Sequence, residues 1–399
     1  VFLKYLIIIC FKFYLGIRNI MNILMSYNTN EGHGAIGRYR ELTDSLLKID
    51  GVRIFYISPE GHNGANRDNF FHLGYKKRNF KPNFIYAWLM ICVIFFKNIE
   101  AMRSIDKCIL FNGANSFVFA IFKSFFKYEL TYSVRVNIIV NQVHDNNQYS
   151  YNYLTKILKK IQFNFYNLLE RFIVRKSDKI VFQSSVNAKE YKKMYNVEDY
   201  KIHILRNNCN PSWVGRKTLI KLNEGFNIAF VGNIFRNKGL RVLINSFALV
   251  NKKIPNSYLT IIGDGPDKDF FEKSVKELSL KNVNFIGYIK NAPEVMHNFD
   301  LIIVPSFMEA FPNVILEAIY YKVPVLGSRV GGIPLILNEE FLFESNNHEE
   351  LFKKIVFLSD KENHAKAVVK ITDLREQFLF DWGRFFYDIV NEKNKHPIP

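Results

Sequence analysis

Residues 301–334 read LIIVPSFMEAFPNVILEAIYYKVPVLGSRVGGIP. The runs LIIVPS (301–306) and VPVLGS (323–328) have the length and β-branched content of buried strands, and the segment between them has helical spacing. Two strands joined by a helix pair in parallel, so this stretch predicts an α/β sheet. Pro312 suits the first position of the helix, where its missing N–H is not needed. Glu309 then falls in the loop after the first strand and Glu317 on the helix's second turn. The free N–H groups near Phe311, Asn313 and Val314, with the positive end of the helix dipole, make an anion site suited to a phosphate. Carboxylates beside such a site repel its ligand unless they accept hydrogen bonds from hydroxyls, and sugar or ribose diols supply those. Spacing alone also allows a solvated loop glutamate and a second that complements the dipole.

Working outward, FNIAFVGN (226–233), YLTIIGDG (258–265) and VNFIGYI (283–289) are further strand candidates, each followed by a loop and a helical pattern. The first half repeats the scheme. Strands are expected over 22–26, 52–58, 107–111, 138–143, 179–183 and 201–205, with helical stretches such as 37–49 and 151–175 between them. A chain of 399 residues favours two domains of about 150–200 residues each. The polar run RNNCNPSWVGRKTLIKLNE (206–224) reads as the linker between a Rossmann-like domain over 21–205 and another over 225–375. Two such halves facing each other put the carboxyl ends of both sheets at the cleft, where open α/β folds bind ligands.

With 48% apolar and 23% charged residues, the chain is a folded one. Its formal net charge of +17 favours anionic partners: nucleic acid, an anionic membrane surface or phosphorylated small molecules. A biased base composition would also enrich Lys, Asn, Phe, Ile and Tyr together. No nucleic-acid recognition module is present, so nucleic acid is not an expected partner. Cys10, Cys92, Cys108 and Cys209 form no CxxC pair, which argues against a zinc site or disulfide scaffold and for a reducing compartment. VFLKYLIIICFKFYLGIRNI (1–20) has its longest apolar run at 5–11, too short to span a bilayer, and no small-residue cleavage site follows. It is read as an upstream start whose residues the fold does not use, or else as a short interfacial anchor.

Other loops after strands carry candidate chemistry. In FVGNIFRNKGLRVLINSF (230–247), Gly232 opens a short basic loop with Arg236 and Lys238 before Gly239 begins a helix, a setting that neutralises a diphosphate or merely displays surface charge. GDGP (263–266) reads as a glycine turn, and the paired glycines of VGGIP (330–334) as a turn or a close backbone approach to a phosphate or sugar. NEGHGAIGRYRELTDSLL (30–47) matches GxGxxG through Gly32, Gly34 and Gly37. The next strand ends in Ser58 and Pro59 instead of an acid, which disfavours a dinucleotide cofactor. VNQVHDNN (140–147) ends a strand with His144, placed to donate to a hydroxyl or phosphate. In 151–176, apolar residues at 154, 157, 158, 161, 165, 168, 169 and 172 have core-facing helix spacing, with Lys156, Lys159 and Lys160 on other faces. The sharper reading of that helix is contact with an anionic membrane.

Taken in this order, these residues resemble glycosyltransferase family 4, retaining enzymes of the GT-B fold, from Met21 to about Val390. The most specific part is 305–334, which is similar to that family's E-x7-E region and the loop after it. The resemblance implies an α/β GT-B architecture of two Rossmann-like domains across a cleft: acceptor-binding over 21–205, nucleotide-sugar-binding over 225–375, and a helix within 376–392 crossing back to the first. It implies Glu317 on the nucleotide ribose, Glu309 against the transferred sugar, and Lys238 with Arg236 on the diphosphate. Gly34 and His144 would approach the sugar from the N-terminal domain. The expected reaction is retaining transfer of a hexose-type sugar from a nucleoside diphosphate sugar to a glycan or lipid-linked hydroxyl acceptor. Surface polysaccharide, capsule or lipopolysaccharide synthesis is the expected setting, in the cytoplasm or at the cytoplasmic face of the membrane. No DxD-type metal motif stands at a suitable place, so neither metal nor cofactor is expected. Departures from the family pattern are Asn233 in place of an arginine, Ala310 in place of a glycine and Leu335 in place of a glutamate. Asn233 and Leu335 keep open a non-catalytic glycan- or membrane-binding relative, and because fold does not fix function a nucleotide-sugar epimerase is a second rival.

Overall fold

The structure is a computed structural model and describes residues 20–26, 33–58, 70–74, 83–111, 115–135, 153–209 and 217–391. The first half runs β1 (Met21–Ser26), α1 (His33–Leu46), β2 (Val52–Ser58), β3 (Phe70–Gly74), α2 (Asn83–Lys97), α3 (Ile99–Arg103), β4 (Lys107–Phe111), α4 (Ser116–Phe126), β5 (Glu129–Val134), α5 (Tyr153–Lys176), β6 (Lys179–Phe182), α6 (Ser185–Tyr195) and β7 (Ile202–Ile204). Its strands form one parallel sheet in the order β3-β2-β1-β4-β5-β6-β7. The second half runs β8 (Phe226–Val231), α7 (Leu240–Lys253), β9 (Ser257–Ile262), α8 (Lys268–Glu277), β10 (Val283–Gly287), β11 (Leu301–Val304), α9 (Asn313–Tyr320), β12 (Val325–Ser328), β13 (Leu342–Phe343), α10 (His348–Ser359), α11 (Lys361–Glu376) and α12 (Trp382–Asn391). Its sheet is also parallel, ordered β10-β9-β8-β11-β12-β13. Strand order reverses between β1 and β4 and again between β8 and β11, and ligands of open α/β sheets bind beyond such switch points.

The near-continuous apolar runs of β8, β11 and β12 follow from burial of a parallel sheet on both faces. β3, β5 and β13 are strands that the apolar-run criterion passes over. In β5, ELTYSV, Thr131 and Ser133 are as buried as their apolar neighbours, so hydroxyls interrupt the pattern of a central strand. Helix α1 begins at His33, four residues before the expected start, and Gly34 lies in its first turn. The strand expected over 138–143 lies outside the described residues.

The last helix belongs to the first core. Trp382, Phe386, Ile389 and Val390 of α12 pack with Tyr39, Leu42 and Leu46 of α1 and with Ile109 and Phe111 of β4. Gly383 permits this approach, because a Cβ there would lie 2.2 Å from Ser45 Oγ.

The stripe on α5 does not face the core, which corrects the packing expected from its spacing. Leu154, Ile157, Leu158, Ile161, Phe165 and Leu168 are exposed, while Leu169, Ile173 and Val174 near the C-terminal end are buried. The reason is length. A helix of 24 residues extends about 36 Å, whereas strands of this size run about 20 Å, so α5 outreaches the sheet that covers its C-terminal turns.

Candidate active site

The loops after β8 and β11 meet at the switch point of the second sheet. Gly239, with φ +69°, ends the loop after β8, and a Cβ on it would lie 1.8 Å from the Pro305 carbonyl oxygen. Only glycine allows both that conformation and that approach. The Phe307 N–H donates to the Asn237 carbonyl at 2.9 Å, which holds the two loops side by side. Lys238 Nζ therefore reaches Glu309 Oε1 at 2.5 Å, and Ser306 Oγ donates to the same oxygen at 3.0 Å.

Two glycine motifs buttress this arrangement. Cβ atoms on Gly331 and Gly332 would lie 1.8 Å and 1.9 Å from the carbonyl oxygens of Glu309 and Ala310. The close approach read from VGGIP is thus made to the protein's own loop. In GDGP, a Cβ on Gly263 would lie 1.8 Å from the Gly232 carbonyl oxygen, so this turn supports the basic loop.

Pro312 is the N-cap residue, one place before the helical position expected for it, and α9 begins at Asn313. No described residue accepts a hydrogen bond from the backbone N–H of Phe311, Asn313 or Val314. A helix N-terminus with open donors favours an anion. The adjoining cleft encloses about 570 Å³ and opens between the two halves, with Lys238, Glu309, Phe311 and Asn313 on one side and Arg135, Gln183 and Asn207 on the other.

A polar hub at the start of the linker joins the halves. Asn207 Nδ2 donates to Asn313 Oδ1 at 2.9 Å and to the Phe311 carbonyl at 3.1 Å. Its Oδ1 accepts from Arg135 Nη2 at 3.0 Å and from Gln183 Nε2 at 3.1 Å. Arg38, 1% exposed, donates to the Asn208 carbonyl at 2.6 Å and to Glu41 at 2.9 Å. Its other Nη2 contact, 3.4 Å to Asn313 Oδ1, brings α1 to the tip of α9. Sequence reading missed Arg38, Arg135, Asn207 and Asn208. The available signal was polar residues ending apolar strands, as in TYSVR and IHILRNN.

Glu317 lies one turn beyond Asn313 on the same face of α9. It keeps partial exposure, yet the protein packed around it pushes its carboxyl up to about 7, and only the charge of Arg38 opposes that rise. No described residue donates a hydrogen bond to it. An isolated carboxylate of this kind is stabilised in its charged form by hydroxyl donors.

The expected residues are not all brought together. Lys238, Glu309, Phe311 and Asn313 line the cleft. Gly232, Val314 and Glu317 flank it on the same loops and helix without lining it. Arg236 is drawn aside: its Nε donates to Asp267 Oδ1 at 3.3 Å and its guanidinium lies 4.4 Å from the Phe270 ring centroid. Asn233 does line the cleft. His144 lies outside the described residues. Among the described residues no group of three or more His, Cys, Asp or Glu side chains could hold a metal. Among them also, no helix is long and apolar enough to cross a membrane.

A family model described as "Glycosyl transferases group 1" matches residues 216–374. The capsular polysaccharide biosynthesis glycosyltransferase CapM of Staphylococcus aureus is 30% identical over 152 residues, 37% of this chain and 40% of that protein. A GalNAc-α-(1->4)-GalNAc-α-(1->3)-diNAcBac-PP-undecaprenol α-1,4-N-acetyl-D-galactosaminyltransferase of Campylobacter jejuni is 23% identical over 265 residues, 62% of this chain and 68% of that protein. For the uncharacterized glycosyltransferase of Haemophilus influenzae, 26% identical, the match spans 53% of the relative's length and 47% of this chain. Sucrose-phosphate synthase from Thermosynechococcus elongatus superposes with a TM-score of 0.74 at 17% identity, over 92% of this chain and 99% of that one. Anabaena HepE, solved with UDP and glucose, gives 0.68 at 15% identity over 92% and 99%. The fold is GT-B, and the family model matches within the half that carries the loops just described.

Proposed function

We propose that this protein is a retaining glycosyltransferase that moves a sugar from a nucleoside diphosphate sugar to a hydroxyl of a glycan or lipid-linked acceptor. The observation that carries the proposal is the meeting of Lys238 with the open N-terminus of α9 at the carboxyl ends of β8 and β11. Departure of the diphosphate builds negative charge on its oxygens. A fixed ammonium and unpaired N–H groups stabilise that charge without reorganisation, so no metal is called for in this reading.

Glu317 accepts the ribose hydroxyls, and Glu309, held by Lys238 and Ser306, lies against the sugar. The C1–oxygen bond to the diphosphate breaks while the acceptor oxygen bonds to C1 from the same face. The acceptor's proton passes to a diphosphate oxygen, leaving a glycoside and a nucleoside diphosphate. His144 and Gly34 keep the sugar-side roles implied by the family 4 resemblance. Arg236, tied to Asp267, shapes the loop and leaves the diphosphate to Lys238. The capsule enzyme and the undecaprenol-linked transferase among the relatives, and the UDP and glucose in HepE, support a nucleotide-sugar donor and surface-glycan synthesis.

The test is a donor screen that follows nucleoside diphosphate release, repeated with Lys238→Ala. The variant should lose about 10²-fold or more in kcat/KM while keeping its fold, as removal of a transition-state interaction does. Unchanged turnover would overturn the assignment. Donor without acceptor should come back unaltered, and its conversion to an isomeric nucleotide sugar would assign epimerisation instead.

A further inference from the structure

Helices α2, α4 and α5 lie side by side over one face of the first sheet. Phe117 of α4 contacts Trp88 of α2 and Phe172 of α5, each at 5.1 Å between ring centroids, and Phe95 of α2 stacks on Phe122 of α4 at 4.3 Å. Their inner sides fill the core. Their outer sides are apolar too. Leu89 and Phe96 of α2 are 61% and 66% exposed, and Phe125 of α4 is 72% exposed. On α5 the row Leu154, Leu158, Ile161, Phe165 and Leu168 continues the surface, each at least 40% exposed. A run of large apolar side chains over three adjacent helices exceeds the scattered exposure normal for a soluble surface.

Charge identifies what such a surface meets. The three helices carry eight Lys and Arg residues and one acid, Glu170. That acid is buried and accepts hydrogen bonds from the hydroxyls of Tyr132 and Tyr191. The three helices are therefore cationic with no exposed acid of their own, and Lys97, Lys156, Lys160, Arg171 and Arg175 are exposed on them, Lys156 and Lys160 beside the apolar row and not within it. A second copy docking by the same face would set these cations against one another. Residues 1–19, with Lys4, Lys12 and Arg18 and no acid, would do the same. An anionic bilayer matches both properties, because it takes apolar side chains below its headgroups and offers negative charge at them.

We infer that the α2–α4–α5 face is a bilayer-docking surface, with α5 lying in the interface of an anionic membrane. Apolar side chains enter the headgroup–acyl boundary, and Lys156 and Lys160 engage lipid phosphates. The inference stands on this face alone and does not depend on the transfer reaction.

Flotation of the full chain with vesicles tests it. The protein should float with vesicles of phosphatidylglycerol and phosphatidylcholine, and largely stay behind with phosphatidylcholine alone. Lys156→Ser and Lys160→Ser should each weaken binding about fivefold. Leu158→Asp with Ile161→Asp should abolish it, and because both positions are exposed the melting temperature should hold. Leu158→Cys, labelled with an environment-sensitive dye, should shift to the blue on anionic vesicles only. Equal flotation with both vesicles, wild-type flotation by the aspartate variant, or a dimer in solution that the aspartate variant dissolves would overturn the inference.

Discussion

The raised pKa of Glu317 makes donor binding pH-dependent in a way that can be worked out in advance. With a carboxyl pushed up to about 7, about a tenth of the free protein holds Glu317 ionised at about pH 6, and about nine tenths at about pH 8. Ribose hydroxyls donate to the charged form and so favour it over the protonated one. Affinity for the donor should therefore rise about tenfold between those two conditions, with release of a proton on binding near neutrality. The probe should be an intact nucleoside diphosphate sugar chosen by the donor screen, because its diester phosphates do not titrate in this range. Calorimetry in buffers of differing ionisation enthalpy reads both the dissociation constant and the proton. Glu317→Gln should bind weakly and without pH dependence. A wild-type dissociation constant that is flat over this range, or a slope that survives in Glu317→Gln, would refute the role given to this carboxylate.

Glu170 gives a stability prediction of defined sign. Burial raises its carboxyl to about 7 against the hydrogen bonds of Tyr132 and Tyr191, whereas an unfolded glutamate titrates near 4.5. Its contribution is fully present below about 4.5 and is lost as pH rises through about 7, a decline on the order of 3 kcal/mol. Denaturant unfolding should show Glu170→Gln removing that share of the slope. Gly239→Ala must take a left-handed conformation against the Pro305 carbonyl, so it should lose at least about 2 kcal/mol and weaken donor binding by displacing Lys238. Transfer assayed in EDTA should proceed at the rate seen without it, and a rate restored only by a divalent cation would contradict charge stabilisation by Lys238 and α9.

Much of the candidate site could be read from the sequence because it is local. A strand, a loop and a helix within 301–320 place Glu309, Phe311, Asn313 and Glu317 by chain geometry alone, and the basic loop of 232–239 follows the same rule. Position within a loop does not fix direction, however. Arg236 and Lys238 look equivalent in sequence, and only packing turns one onto Asp267 and Phe270 and the other to Glu309.

The sequence by itself determined two parallel α/β sheets, the loops that bear the chemistry and the glycines those loops require, because periodicity and turn residues act over a few neighbours. Tertiary structure decided the rest. The hub of Arg38, Arg135, Asn207, Asn208 and Asn313 joins distant segments of the chain, and no local pattern shows that these residues meet. The α5 stripe shows the same limit from the other side. Apolar residues at helical spacing specify a face, and what that face meets depends on how far the helix outruns the sheet beneath it.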